Sequence, residues 1–329
     1  MVTYLFGAGA SHQVLPTINE IEGRALQLAT KISNIESSHP FIKMMNDLAI
    51  AARKEVSVDT YAKRLYLQAN QVELNKLKVA MMVFFTLEQA HMNPGDQPKI
   101  DTRYSNFFAA ILDNNRRIPE NVKILTWNYD SQIEMTLHGF QHDSTRAGTN
   151  VDNISQGYNI LEKNSNDGFP DVKKSVVKLN GTATFRNAVG QTVPLFDNYS
   201  DMNFLFLLDD IAKKVQGYMK TFDANNTEYS NLSFAWEDDF EIGNHFILKI
   251  RGIIKETTSL VIIGYSFPMF NREVDRMIVR AMGNLKTVYI QDINPKIIRD
   301  RFRAIKNNIG DTDIVLSDDK DQFLSPYEL

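Results

Sequence analysis

The chain has 329 residues, 43% of them apolar and 23% charged, with a net charge of −4 and no cysteine. This length holds one large domain with insertions or two domains, and the charge lacks the global basic signature of a nucleic-acid binder. Without cysteine there are no disulfides, thiolate metal sites or cysteine nucleophile. No apolar run approaches the ~18 residues of a membrane helix. The first residues lack the regions of a signal peptide, so a cytoplasmic location is expected.

Val2–Phe6 is a short apolar run rich in β-formers, followed by Gly7-Ala8-Gly9-Ala10-Ser11. A strand leading into a glycine turn fits the opening of a Rossmann-like unit. Thr17 with Glu20 has the spacing of a helix-starting capping box, and an amphipathic helix is expected over 18–31. Residues 41–115 read as helical, with Phe41, Met44, Met45 and Leu48, then Leu74, Leu77, Met81, Phe84 and Phe85, then Phe107, Phe108, Ile111 and Leu112 at helical spacing. Asn93-Pro94-Gly95-Asp96 breaks this region. Val122–Thr126 is a buried strand, and a helix is expected over 129–138.

Residues 140–173 are polar and aperiodic, a long loop region with one short strand near Tyr158. Another strand is expected over 175–179. A hairpin around Gly190, a helix near 203–220 and a polar loop at 223–233 follow. Strands at 260–263, 287–290 and 313–316 then alternate with helices at 271–283 and 295–306, the pattern of a parallel sheet. The expected fold is α/β, a Rossmann-like parallel sheet flanked by helices. It forms one domain over 1–329, with a helical insertion at about 32–118 and a variable insertion at about 185–245.

Candidate ligand residues fall where strands end, the edge at which parallel sheets bind ligands. Gly7, Ala8, Gly9, Ala10 and Ser11 offer a small-residue turn that lets backbone approach a pyrophosphate, or simply a tight strand-to-helix turn. The third glycine of the dinucleotide fingerprint is missing, because position 12 is His. Asn128 could hold a ribose hydroxyl or a water, or cap a helix; Asp130 could orient a ligand or face a helix dipole. Gly264, Tyr265 and Ser266, with Asp292 and Asn294, end two further strands, where Ser266 could bond phosphate or ribose and Asp292 a ribose; turn chemistry is the plainer role.

Together with Asn180-Gly181, these segments resemble the sirtuin-like NAD-binding family, in the order that family shows them. The resemblance covers about 2–16, 122–137, 175–182 and 258–295, and is nearest to the bacterial branch that degrades NAD+ in antiphage defence. Protein-deacylating sirtuins carry a zinc module held by four cysteines, which this chain cannot build. The resemblance implies NAD as substrate or ligand without a metal, an NAD+ hydrolase releasing nicotinamide and ADP-ribose, and control by a regulatory or sensor partner or by homo-oligomerisation. It implies catalytic roles for Asn128, Asp130 and position 180.

At position 180 the family has His and this chain has Asn, which does not titrate near neutral pH; losing a general base costs on the order of 10²–10⁴ in rate. Three explanations are open: an engineered His→Asn change that traps bound NAD+, a natural relative that binds without cleaving, or a base supplied elsewhere. His12, His138 and His142 are the sequence candidates for the last. The first is preferred, because the rest of the site is retained. The second corresponds to a non-catalytic NAD- or ADP-ribose-binding regulatory subunit. His138 and His142 have the spacing of two metal ligands on one helical face, but Gly139 and the polar run after them argue against a metal site.

Overall fold

The computed structural model describes residues 1–55, 57–92, 99–141, 151–163, 174–186, 192–199, 202–221, 229–237, 245–306, 312–327 and 329. The chain begins with β1 (Val2–Phe6), then α1 (Ile21–Ile35), α2 (Pro40–Lys54), α3 (Val58–Leu67), α4 (Gln71–Glu88) and α5 (Thr102–Ile111). Next come β2 (Val122–Thr126), α6 (Gln132–Gly139), α7 (Val151–Gly157), β3 (Ile160–Glu162) and β4 (Val176–Lys178). β5 (Thr184–Arg186), β6 (Thr192–Pro194), α8 (Phe204–Thr221), β7 (Tyr229–Ser230) and α9 (His245–Ile254) follow. The last part is β8 (Ser259–Ile263), α10 (Arg272–Ala281), β9 (Thr287–Gln291), α11 (Pro295–Lys306) and β10 (Asp313–Ser317).

Seven strands form one sheet in the order β10-β9-β8-β1-β2-β4-β3, and every neighbouring pair is parallel. This is a Rossmann-like α/β fold. β1, β2 and β8 are buried along their whole length, as continuous apolar runs in a doubly covered sheet require. The two-residue alternation of β1 divides the core. Tyr4 and Phe6 pack on the side of α1–α5, while Leu5 packs with α9, α10 and α11. From β1 the chain moves to β2 on one side and later returns to β8 on the other. The carboxyl ends of β1 and β8 are therefore a topological switch point, where loops leave in opposite directions and open a crevice.

α2–α5 lie between β1 and β2 in sequence. α4 is buried from Leu77 to Glu88 on all faces, so the other helices of this group pack around it. A second, antiparallel sheet has the order β6-β5-β7 and contains the hairpin expected around Gly190, which itself lies outside the described residues.

Several boundaries differ from expectation. The helix expected from 129 begins at Gln132, because Asn128–Asp130 are drawn into the crevice first. The long polar region contains α7 as well as the expected short strand, and α9 was not anticipated; α7 is too short to show a helical period against a polar background. The 41–115 region is interrupted after Lys54, Leu67 and Glu88. The Asn93–Asp96 break, His142 and most of the polar loop at 223–233 lie outside the described residues, although β7 falls within that loop. No helix among the described residues is long and apolar enough to cross a membrane.

Candidate functional site

The β1 and β8 loops are held together backbone to backbone. The Gly7 N–H donates to Ile263 O and the Gly9 N–H to Gly264 O, both at 3.0 Å. A Cβ on Gly7 would lie 2.6 Å from Gly264 O, and one on Gly264 would lie 2.5 Å from Gly9 backbone. Gly264 also has φ +58°, a conformation other residues rarely adopt. These glycines are required by loop-to-loop contact, so the glycine pattern is explained before any ligand is considered.

Arg103, on α5, is buried and donates to Gly9 O at 3.2 Å and Ala10 O at 3.1 Å, while its Nε donates to Asp101 Oδ1 at 2.9 Å. The helical group thus grips the β1 loop through one guanidinium. His12 Nδ1 lies 2.9 Å from Gly9 O and from Arg103 Nη2, so the ring is tied to the same loop.

Asn128 is buried, and its amide donates to Gly7 O at 3.0 Å and Ser11 Oγ at 3.2 Å. With both protons committed, what remains for a ligand is its carbonyl oxygen, an acceptor for a hydroxyl or a water. Ser11 Oγ also meets the Tyr104 hydroxyl at 3.1 Å. Asp130 is buried and accepts from the Gln132 N–H at 3.0 Å. Burial pushes its carboxyl above the usual range, against the opposing pull of the Lys178 charge. Lys178 is itself fully buried, donates to Asp130 O, and pairs with Glu134 at 2.9 Å. This network locks the Asn128–Asp130 segment to the end of β4.

Asn180 follows β4. Its amide donates to Trp127 O at 3.2 Å and to the Tyr129 hydroxyl at 3.3 Å. Its Oδ1 is buried and has no hydrogen-bond partner among the described residues, an unusual state for a buried acceptor that a ligand donor would relieve. Gly181 has φ +72°, and a Cβ there would sit 1.9 Å from Asn231 O, so only glycine fits. The Ser233 N–H donates to Asn180 O at 2.9 Å, which pins the position from the other side.

Tyr265 is committed through its hydroxyl. Its hydroxyl donates to the Asp275 carboxylate at 2.9 and 3.0 Å and accepts from the Asn271 amide at 3.0 Å. Its ring stacks on Trp127 with centroids 5.9 Å apart. Tyr265 therefore offers an aromatic face and no free hydroxyl. Burial holds the Asp275 carboxyl well above the usual range; the Trp127 indole N–H favours its charge without completing a hydrogen bond. Asp292 Oδ1 accepts from the Asn294 N–H at 2.8 Å, and Asn294 O accepts the Ile297 and Ile298 N–H groups in the first turn of α11, so both also serve the turn. Ser266 is exposed and accepts through its carbonyl from Arg301 at 2.6 Å.

These segments surround one cavity of about 640 Å³ at the switch point, within the roughly 300–1,000 Å³ of small-molecule sites. Ala8, Gly9, Ser11, Asn128, Asp130, Asn180, Gly264, Tyr265, Ser266, Asp292 and Asn294 all line it; Gly7 and Ala10 lie behind the wall. His12 lines it too, whereas His138 does not and instead meets the Tyr199 ring at 6.0 Å. Residues that sequence reasoning missed include Arg103 and the wall formed by Val58, Asp59, Met81 and Phe85 of α3 and α4. No local pattern marks them, because their proximity to the sheet edge is created by packing alone.

No family model and no curated protein matches the chain. Among solved structures, it is similar to a crystal structure of Sir2 in complex with an inhibitor, 2'-O-acetyl-ADP-ribose and a deacetylated p53 peptide. The likeness has 12% identity and a TM-score of 0.35, and covers 93% of each chain. It carries no argument about ligand or chemistry, which rest on the residues themselves.

Proposed function

We propose that the chain is a sirtuin-like protein, one unit carrying two insertions, that binds NAD+ in the switch-point cavity and breaks its nicotinamide–ribose bond. The products are nicotinamide and ADP-ribose. The observation that carries this reading is the convergence of five separate strand-end motifs on one cavity lined by Asn180, whose buried Oδ1 has no hydrogen-bond partner among the described residues. The Ala8 backbone of the β1 loop is left for the pyrophosphate, since the Gly7 and Gly9 N–H groups bond the β8 loop and Ser11 Oγ meets Asn128 and Tyr104. Asn128 presents an acceptor for a ribose hydroxyl or water. Asn180 Oδ1 accepts a further hydroxyl proton, and Asp130 holds the segment in place. The effector role in antiphage defence, with a regulatory partner or self-assembly, rests on the sequence resemblance.

A second reading, an NAD- or ADP-ribose-binding regulatory subunit, is favoured by position 180 itself. Its amide protons are committed to Trp127 and Tyr129, and a carboxamide takes no proton from water. The deciding experiment measures NAD+ binding and nicotinamide release by this chain and by Asn180→His. Cleavage by either form supports the hydrolase. Binding by both without cleavage favours the regulatory subunit, and absence of binding removes NAD+ as the ligand.

A further inference from the structure

We infer that Asp59, on the wall contributed by α3, is the catalytic base that activates the attacking water in place of the histidine missing at position 180. The inference rests on the hydrolase reading above and assigns the reacting end of the cavity to the helical group between β1 and β2.

Asp59 is half-buried and lines the same cavity as Asn128, Tyr129 and Asn180. Of the charges acting on the Tyr129 hydroxyl, that of Asp59 is the largest, and the same hydroxyl lies 3.3 Å from Asn180 Nδ2. The carboxylate thus shares the cavity wall with Tyr129 and Asn180. It makes no ion pair among the described residues. Arg64, on the same helix, is committed to Glu55, and Lys78 of α4 is committed to Glu237 at 2.6 Å. The Tyr129 and Tyr265 phenols, on which its charge acts, are both pushed above their usual range by burial.

Asp59 lies in the first turn of α3, where the helix dipole favours a charged carboxylate. Burial outweighs that and pushes its pKa up to about 6. A carboxylate so placed is ionised at neutral pH yet basic enough to take a proton. Asp130 and His12 line the cavity too, but Asp130 is pinned through Oδ1 to the Gln132 N–H, and His12 is exposed with Nδ1 held between Gly9 O and Arg103 of α5.

The bond between ribose C1' and the nicotinamide nitrogen breaks, and the nicotinamide leaves as a neutral base with the bonding pair. A water oxygen forms the new bond to C1', and its proton passes to the Asp59 carboxylate, which later releases it to solvent. No oxidant, reductant or metal is needed.

The test compares the parent chain with Asp59→Asn and Asp59→Ala, following nicotinamide release at saturating NAD+ and NAD+ binding by calorimetry. Expected is a loss of about 10²–10⁴ in kcat with binding nearly unchanged. Formate, a small external carboxylate, should restore part of the rate of Asp59→Ala and none of the parent's. A rate for Asp59→Asn within about tenfold of the parent overturns the inference. So does a parent that binds NAD+ and never cleaves it, which leaves the ligand reading standing. A parent that binds no NAD+ removes both.

Discussion

The two ends of the cavity are built from different materials. At the β1–β8 end the wall is backbone: Gly9 and Gly264 in mutual contact, backed by Gly7, with Arg103 closing on the Gly9 and Ala10 carbonyls. At the far end the wall is side chain: Asn180 with a bare carbonyl oxygen, Tyr129, and the half-buried Asp59. Backbone amides are fixed dipoles and do not titrate, so the first end suits the holding of a constant charged group. Polar side chains with spare capacity respond to a reacting group, and they cost folding energy when left unmet. One cavity therefore combines a rigid grip with an uncomfortable, reactive end.

The contrast can be broken by substitution, starting with the largest expected effect. Gly181→Ala forces a Cβ to 1.9 Å from Asn231 O at a φ of +72°. It should cost about 3 kcal/mol or more and displace the 230–234 segment, seen as a lowered denaturant midpoint. Lys178→Met leaves Glu134 buried without its partner, for which a loss of about 3–5 kcal/mol is expected in the same measurement. If either change costs less than about 1 kcal/mol, the segment joining the two ends is looser than its packing implies.

Smaller changes sharpen the contrast. Arg103→Lys keeps the charge and loses the guanidinium fork, so NAD+ affinity should fall by about tenfold in a titration while the rate of bound substrate changes little. A change in rate alone would place Arg103 at the reacting end. The smallest effect is a pH dependence. Asp59 holds its proton to about pH 6 in the folded chain, above its ordinary value of 3.8. The folded state therefore binds more protons than the unfolded one between those limits, and this contribution to stability is lost as pH rises through about 6. Asp59→Asn should raise the melting temperature relative to the parent above pH 6, with the gain shrinking toward pH 4.

How much of this could be read beforehand differs between the same two ends. Six strands of the seven-stranded sheet were visible as short apolar runs bounded by turn residues, β3 only as a short strand near Tyr158 in a polar region, and the Thr17–Glu20 capping box occurs as read. The motifs at the strand ends were visible because a parallel sheet places its carboxyl ends together, whatever lies between them. α7 and α9 were not visible. Nor was the role of the glycines: Gly7 and Gly264 are 257 residues apart, and their contact exists only after β1 and β8 pair.

The amino-acid sequence by itself determined the fold class, the order of the strands along the chain and the side of the sheet on which chemistry could occur. These depend on local hydrophobic pattern and turn chemistry, which neighbours in sequence decide. Tertiary structure alone decided that Asn180 keeps a bare oxygen, that Arg103 clamps the β1 loop and that Asp59 meets the cavity. Those facts depend on which distant groups are brought together and how far water is kept from them. Burial and pairing, which set the protonation and hydrogen-bonding capacity of a side chain, are properties of the packed molecule.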